Sequence, residues 1–137
     1  IEKGLNILAG AELASGDYNA AERNYREALR IAKKTNDRGN IATYMCNLTD
    51  VAMARQDWST AEELARESLA MSQPMGRLEL IGKNCYVLAK ALIRQNQPRE
   101  ALPYARRAID IFTKLRQPGR LKIAQATLRE CEGMSDE

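Results

Sequence analysis

The sequence predicts an all-α solenoid, a stack of antiparallel helical hairpins wound into a right-handed superhelix. Three observations carry this. The stretch "SGDYNAAERNYREAL" (15–29) recurs as "RQDWSTAEELARESL" (55–69) and "QNQPREALPYARRAI" (95–109), so Ala21, Ala61 and Ala101 are spaced 40 residues apart. A fixed period of this length is the mark of a repeat array. Apolar residues recur at helical spacing: Ile81, Cys85, Leu88, Ala89 and Leu92 fall at i, i+4, i+7, i+8 and i+11, one stripe on a helix. Strand-like alternation is absent, and Ala, Leu, Glu, Arg and Lys dominate, the residues with high helix propensity.

The elements follow in order. A first unit spans 1–35 and opens with the stripe Ile1, Leu5, Leu8, Ala9 and Glu12, of which only Glu12 departs from the apolar pattern. The second, 38–74, repeats it as Ile41, Met45, Leu48, Thr49 and Ala52, and the third, 78–116, carries the stripe quoted above. The second helix of each unit has its own start signal. Ser59 with Glu62 reads as a capping box, Asn19 with Glu22 as its weaker analogue, and Pro98 suits a first helical position where no amide donor is missed. Within these helices Ala21, Tyr25, Ala28 and Leu29 align with Ala61, Ala65, Ser68 and Leu69, and with Ala101, Ala105, Ala108 and Ile109. Small residues at a crossing let two helices approach closely. "KTNDRGN", "SQPMGR" and "RQPGR" hold the Gly, Pro and Asn that end helices. Ala124, Leu128 and Cys131 continue the stripe into a last helix, 120–132, which either caps the array or begins a partial fourth unit, and 133–137 reads as a frayed polar tail.

Taken together these residues resemble the tetratricopeptide repeat. Leu-Ala or Leu-Thr in the first helix, Gly-Asp-Tyr or Gln-Asp-Trp at the turn, then Ala, a residue four on and a small residue three further, recur in register over three units. The period of 40 is similar to the long repeats of kinesin light chains and of the C-terminal sensor arrays of bacterial STAND signalling NTPases. The chain departs from the family pattern at Thr49, Ala65, Ala105 and Pro98. Recurrence of Tyr18 and Trp58 at the turn assigns them to packing within each hairpin.

Bulk properties exclude several function classes. The 137 residues carry 21 basic and 18 acidic groups, a net charge of +3, which is not the clustered basic signature of a nucleic-acid binder. No apolar run nears the roughly 20 residues of a membrane span, and no secretory leader opens the chain. Cys46, Cys85 and Cys131 are odd in number and lack CxxC spacing, the usage of a reduced, cytoplasmic protein. The opening "IEKGLNILAGAEL" already reads as mid-helix, as in a piece of a longer chain. With no histidine, Ser-His-Asp and Cys-His catalysis and His-based metal sites are excluded. "GAELASG" lacks the Lys-Ser/Thr of a phosphate loop, and Glu62-Glu63 and Asp136-Glu137 fall on solvated faces or in the tail. The expectation is a non-enzyme without cofactor or metal. Cys46 is the one thiol off the core stripe and is expected to react before Cys85 and Cys131.

Opposite the stripe of the third unit lie Lys83, Val87, Lys90 and Arg94, bordered by Tyr86. The same face maps back to Thr43, Cys46, Asn47, Asp50 and Met53, and to Lys3, Asn6, Gly10, Leu13 and Ala14. The resemblance implies that this face lines a concave groove for peptides or partner helices. Asn47 and Lys83 match two of the five positions with which some members grip a chaperone's terminal carboxylate, but Asn6, Gly10 and Val87 stand at the others and argue against that clamp. Lys3, Lys83, Lys90 and Arg94, with Arg129 extending them, oppose the single acid Asp50. A one-signed concave surface concentrates opposite charge, so an acidic partner segment is expected, although the same charges would suit a merely solvated face. Three readings stand: a protein- or peptide-binding scaffold, a regulatory sensor segment of a larger STAND-type ATPase or transcription regulator, and self-association through exposed array ends.

Overall fold

The computed structural model describes residues 1–135. Among them are seven helices and no strand: α1 (Glu2–Ala14), α2 (Tyr18–Lys34), α3 (Arg38–Ala54), α4 (Trp58–Met75), α5 (Leu78–Arg94), α6 (Pro98–Lys114) and α7 (Pro118–Ser135). Each packs on the next, and the odd-numbered helices also meet one another, α3 on α5 and α5 on α7. This is an all-α helical repeat.

The recurring turn residues explain the hairpins. Gly16, Asn36, Gln56, Asn96 and Arg116 are left-handed, with φ of 89°, 56°, 60°, 63° and 54°. The amide one residue later returns to a carbonyl five back, as from Asp17 to Glu12 (2.9 Å), Asp57 to Ala52 (2.8 Å) and Gln97 to Leu92 (2.9 Å). That bond closes a helix C-terminus and offsets the cost of the left-handed residue. The next helix starts at once. The aspartates of the turn are its caps: Asp17 accepts from the Ala20 amide, Asp37 from Asn40 and Asp57 from Thr60, at 3.2, 3.1 and 3.3 Å. The expected capping boxes at Asn19 and Ser59 are therefore displaced by two residues, because Asp at the turn already meets the free amides. Pro98 does sit at the helix start.

The apolar stripes pack as paired faces. Ala21, Ala61 and Ala101 are wholly buried, as are Leu88 and Leu92, and Leu48 nearly so. Gly82 permits a particularly close crossing, since a Cβ there would lie 2.9 Å from both Ile111 and Phe112. Polar groups join the hairpins too: the Ser68 hydroxyl donates to the Ala42 carbonyl and accepts from the Asn84 amide, both at 2.8 Å. These bonds tie α3, α4 and α5 together.

Two expectations need correction. The C-terminal residues 133–135 continue α7 rather than fraying, while 136 and 137 lie outside the described residues. Cys46 is fully buried, in a cluster with Ala42 and Leu80. Its face of α3 is covered because α5 packs across it, an inter-unit contact that one helix's periodicity does not encode. Burial pushes the thiols of Cys46 and Cys85 up to about 11, and that of Cys131 upward as well. Since the thiolate is the reactive form, native protein is expected to resist an aromatic disulfide reagent at all three cysteines and to release three equivalents when denatured. Cys131, on the terminal helix, labels first and Cys46 does not; mass-resolved labelling of Cys46 ahead of the others would overturn this packing.

Candidate interaction face of the odd-numbered helices

The 40-residue register stacks corresponding positions of α1, α3, α5 and α7, so groups near one another in space are 33 to 41 residues apart in sequence. Lys83 Nζ lies 2.7 Å from Asp50 Oδ2. One helix further, Lys90 Nζ and Arg94 Nη1 lie 3.4 and 2.7 Å from Glu130. Asn47 Nδ2 donates to Asn6 Oδ1 at 2.8 Å. Six of the expected residues, Asn6, Asn47, Asp50, Lys83, Lys90 and Arg94, thus form with Glu130 a ladder of polar contacts across α1, α3, α5 and α7, bordered by the half-buried Tyr86; Lys3 is exposed at its α1 end.

The face is less one-signed than the sequence reading held. Glu130 stands at the register of Asp50 and Lys90 and brings a second carboxylate to the face. Arg129 stands instead at the register of Ala9, Thr49 and Ala89, on the hairpin side of α7, and is exposed; it does not join the ladder. Val87, expected on the groove, is buried in the core beside Ala61 and Leu88. Partial burial alone would raise the Glu130 carboxyl, but Arg94 and Lys90 outweigh it and hold it below the usual carboxylate range. Burial raises the Tyr86 phenol, opposed by Arg94 and assisted by Glu130.

Beside the Lys83–Asp50 pair a cleft of about 310 Å³ opens, lined by Asp50, Lys83, Tyr86, Phe112, Arg120 and Ile123. Its wall is aromatic and aliphatic, with Ile123 52% exposed. Arg120 carries its guanidinium 5.9 Å from the Phe112 ring centroid, within reach of a cation–π contact. Phe112, Arg120 and Ile123 escaped the sequence reading. Carrying the register of Lys3, Thr43 and Lys83 one unit on reaches Ile123, and carrying Asp50 and Lys90 on reaches Glu130, so the signal for both was present. An apolar recess beside ionic groups can seat a hydrophobic side chain and orient a charged neighbour. Among the described residues no cluster of His, Cys, Asp or Glu could hold a metal ion, and no helix is long and apolar enough to cross a membrane.

Comparison with known proteins accords with this geometry. Models of the tetratricopeptide repeat match residues 2–73 and 86–118. Among curated proteins none matches the chain. The fold is similar to the crystal structure of a TPR-like protein from Chlorobium tepidum TLS, with a TM-score of 0.82 at 18% identity, covering 98% of this chain and 94% of that one. Tetratricopeptide repeats generally mediate protein–protein interaction. A family match over more than half of the sequence, joined to a stack of hairpins in 40-residue register, places the chain in the tetratricopeptide repeat family.

Proposed function

We propose that the chain is a protein-interaction scaffold that receives a peptide or partner segment on the concave face of its odd-numbered helices, and that the segment is acidic with an apolar anchor. The observation that supports this best is the cleft between α5 and α7, in which Tyr86, Phe112 and Ile123 adjoin Lys83 and Arg120. The basic residues of this face, Lys3, Lys83, Lys90, Arg94 and Arg120, outnumber its carboxylates, Asp50 and Glu130. A positive surplus therefore survives the internal pairing.

The pairs themselves are no obstacle. Lys83 and Lys90 keep 22% and 23% of their side-chain surface exposed and their partners more, and ion pairs in contact with water contribute only about 0–1 kcal/mol. A ligand carboxylate can exchange into such a pair at small cost. Screening by salt then weakens binding, since exposed charges are felt over about 8–10 Å at physiological ionic strength.

The test uses fluorescently labelled peptides that alternate Leu and Phe with Asp and Glu, and counterparts with Lys at the charged positions. Fluorescence polarisation is expected to show binding of the acidic set that weakens with salt. Replacing Lys83 and Arg120 by Gln weakens it by about tenfold, equivalent to about 1.4 kcal/mol, whereas Arg23→Gln with Arg26→Gln on the even-numbered helices leaves it unchanged. Neutralisation is preferable to reversal here, because Glu at position 83 would face Asp50. Equal binding of the basic peptides, or greater damage from the Arg23 and Arg26 pair, would refute the acidic reading.

A further inference from the structure

The net charge of +3 conceals a segregation of charge between the two edges of the array. Because the helices alternate in direction, every turn that joins an even-numbered helix to the next odd-numbered one lies at the same edge. Residues 31–42, 71–82 and 111–122, which contain these turns, hold eight Lys and Arg against two acids, Asp37 and Glu79. The opposite edge, residues 11–22, 51–62 and 91–102, holds three Arg against six acids. One edge is therefore strongly positive and the other negative. The segregation belongs to the turns along the array, not to either end of the stack.

Within the basic edge the three turns differ. The first carries Lys33, Lys34 and Arg38 and the last Lys114, Arg116 and Lys122; all six are exposed, and none is in an ion pair among the described residues. The middle turn, at the left-handed Gly76, directs its one cation inward: Arg77 donates to the Gly39 carbonyl at 3.2 Å and to the Thr43 hydroxyl at 3.0 Å. It presents Met75 and Leu78 instead, each 38% exposed, where the other turns have Thr35 and Arg38, or Leu115 and Pro118. The edge thus reads basic, apolar, basic along the array, and packing within the chain accounts for none of these exposed groups.

We infer that this edge docks on an anionic membrane surface, with the two basic turns on lipid headgroups and Met75 and Leu78 entering the interface between them. Clustered exposed Lys and Arg are drawn to the negative potential of anionic lipid, and apolar side chains add burial at headgroup depth. A nucleic-acid strand is the poorer match. Such strands are held by aromatic side chains on which bases stack, and Phe112, the single aromatic residue of these segments, is 2% exposed. The chain rests on the surface without crossing it, since no helix among the described residues is long and apolar enough to span. Arg120 belongs also to the cleft between α5 and α7, but the six exposed cations do not, so the two surfaces are separable by mutation.

The experiment is cosedimentation with vesicles of phosphatidylcholine alone and of phosphatidylcholine with phosphatidylserine at about three to one. The chain is expected to bind the mixed vesicles only, and less as salt screens the contact. Lys33→Gln, Lys34→Gln and Arg38→Gln together lower partitioning about tenfold or more. Arg23→Gln, Arg99→Gln and Arg106→Gln, an equal change of net charge at exposed positions elsewhere, leave it unchanged. Met75→Ser with Leu78→Ser lowers it about fivefold, and all variants keep the wild-type melting temperature because the sites are on the surface. Failure to bind the mixed vesicles, equal loss from the Arg23, Arg99 and Arg106 set, or binding indifferent to Met75 and Leu78 overturns the inference. So does tighter retention on duplex DNA of random sequence, which would make a polyanion the occupant.

Discussion

Truncating Leu88 to alanine is expected to lower stability by about 2–5 kcal/mol, the range for removing a fully buried leucine whose surroundings relax only in part. Leu88 has no exposed surface and lies in the cluster that joins Leu69 of α4, Ile81 and Cys85 of α5 and Phe112 of α6. It therefore serves both its own hairpin and the contact with the preceding unit. In a repeat array, stability is the sum of units and their nearest-neighbour interfaces, so a loss at this position weakens two terms together. Leu48, the equivalent residue in α3 and 2% exposed, is expected to behave alike. Urea denaturation measures both. A loss below about 0.5 kcal/mol at the two sites, as at an ordinary surface position, would show that the stripe is not the core.

The fold was legible because the same physics is written repeatedly. Any one copy of "GDYNAAERNY" is a weak signal, but Ala21, Ala61 and Ala101 at one spacing, each before a small-residue face, restrict the architecture to stacked hairpins. What escaped was finer. Ser59 reads as a cap because the Ser-x-x-Glu pattern is a genuine start signal, yet Asp57, two residues earlier, sits right after the left-handed Gln56 and reaches the free Thr60 amide first. The competition between two nearby capping residues is decided by where the preceding helix stops.

The candidate face was legible in part, and the misses share one cause. Helical periodicity shows which residues of a single helix share a side. It does not show which sides a neighbouring helix will cover. Cys46 and Val87 lie opposite the hairpin stripe on their own helices, as expected, but α5 closes over Cys46 and Val87 is buried in the cluster that α3 to α7 share. Glu130 and Arg129 are adjacent in sequence and were separable only by extending the register through α7, which puts Glu130 at the position of Lys90 and Arg129 at that of Ala89. The acid that pairs with Lys90 and Arg94 was thus readable from the same 40-residue period that revealed the repeats.

The most damaging substitution of the same size is expected at a polar site that the sequence did not mark. Asn84 has no exposed surface; its amide donates to Ser68, whose hydroxyl donates onward to the Ala42 carbonyl, and its Oδ1 has no partner among the described residues. Equivalent positions in the other odd-numbered helices hold Gly4, Tyr44 and Ala124, so the register assigns no polar group there. Asn84→Asp preserves shape and replaces the amide by a carboxyl with no cation beside it. Ionised, it would be a buried unpaired charge, and breaking such a balance costs about 3–5 kcal/mol; it also faces the Ser68 oxygen without a donor of its own. The carboxyl therefore stays protonated in the folded chain well above the usual carboxylate range, while the unfolded chain ionises normally. Over that interval the unfolded state binds fewer protons, so stability falls as pH rises and is recovered on acidification. Wild type and variant compared by urea denaturation between about pH 4 and about pH 8 are expected to diverge steadily, the variant losing several kcal/mol at the alkaline end. A constant difference across that range would mean that the carboxylate reaches water or a cation, and that the network of Asn84, Ser68 and Ala42 is not the sealed joint between α3, α4 and α5 described here.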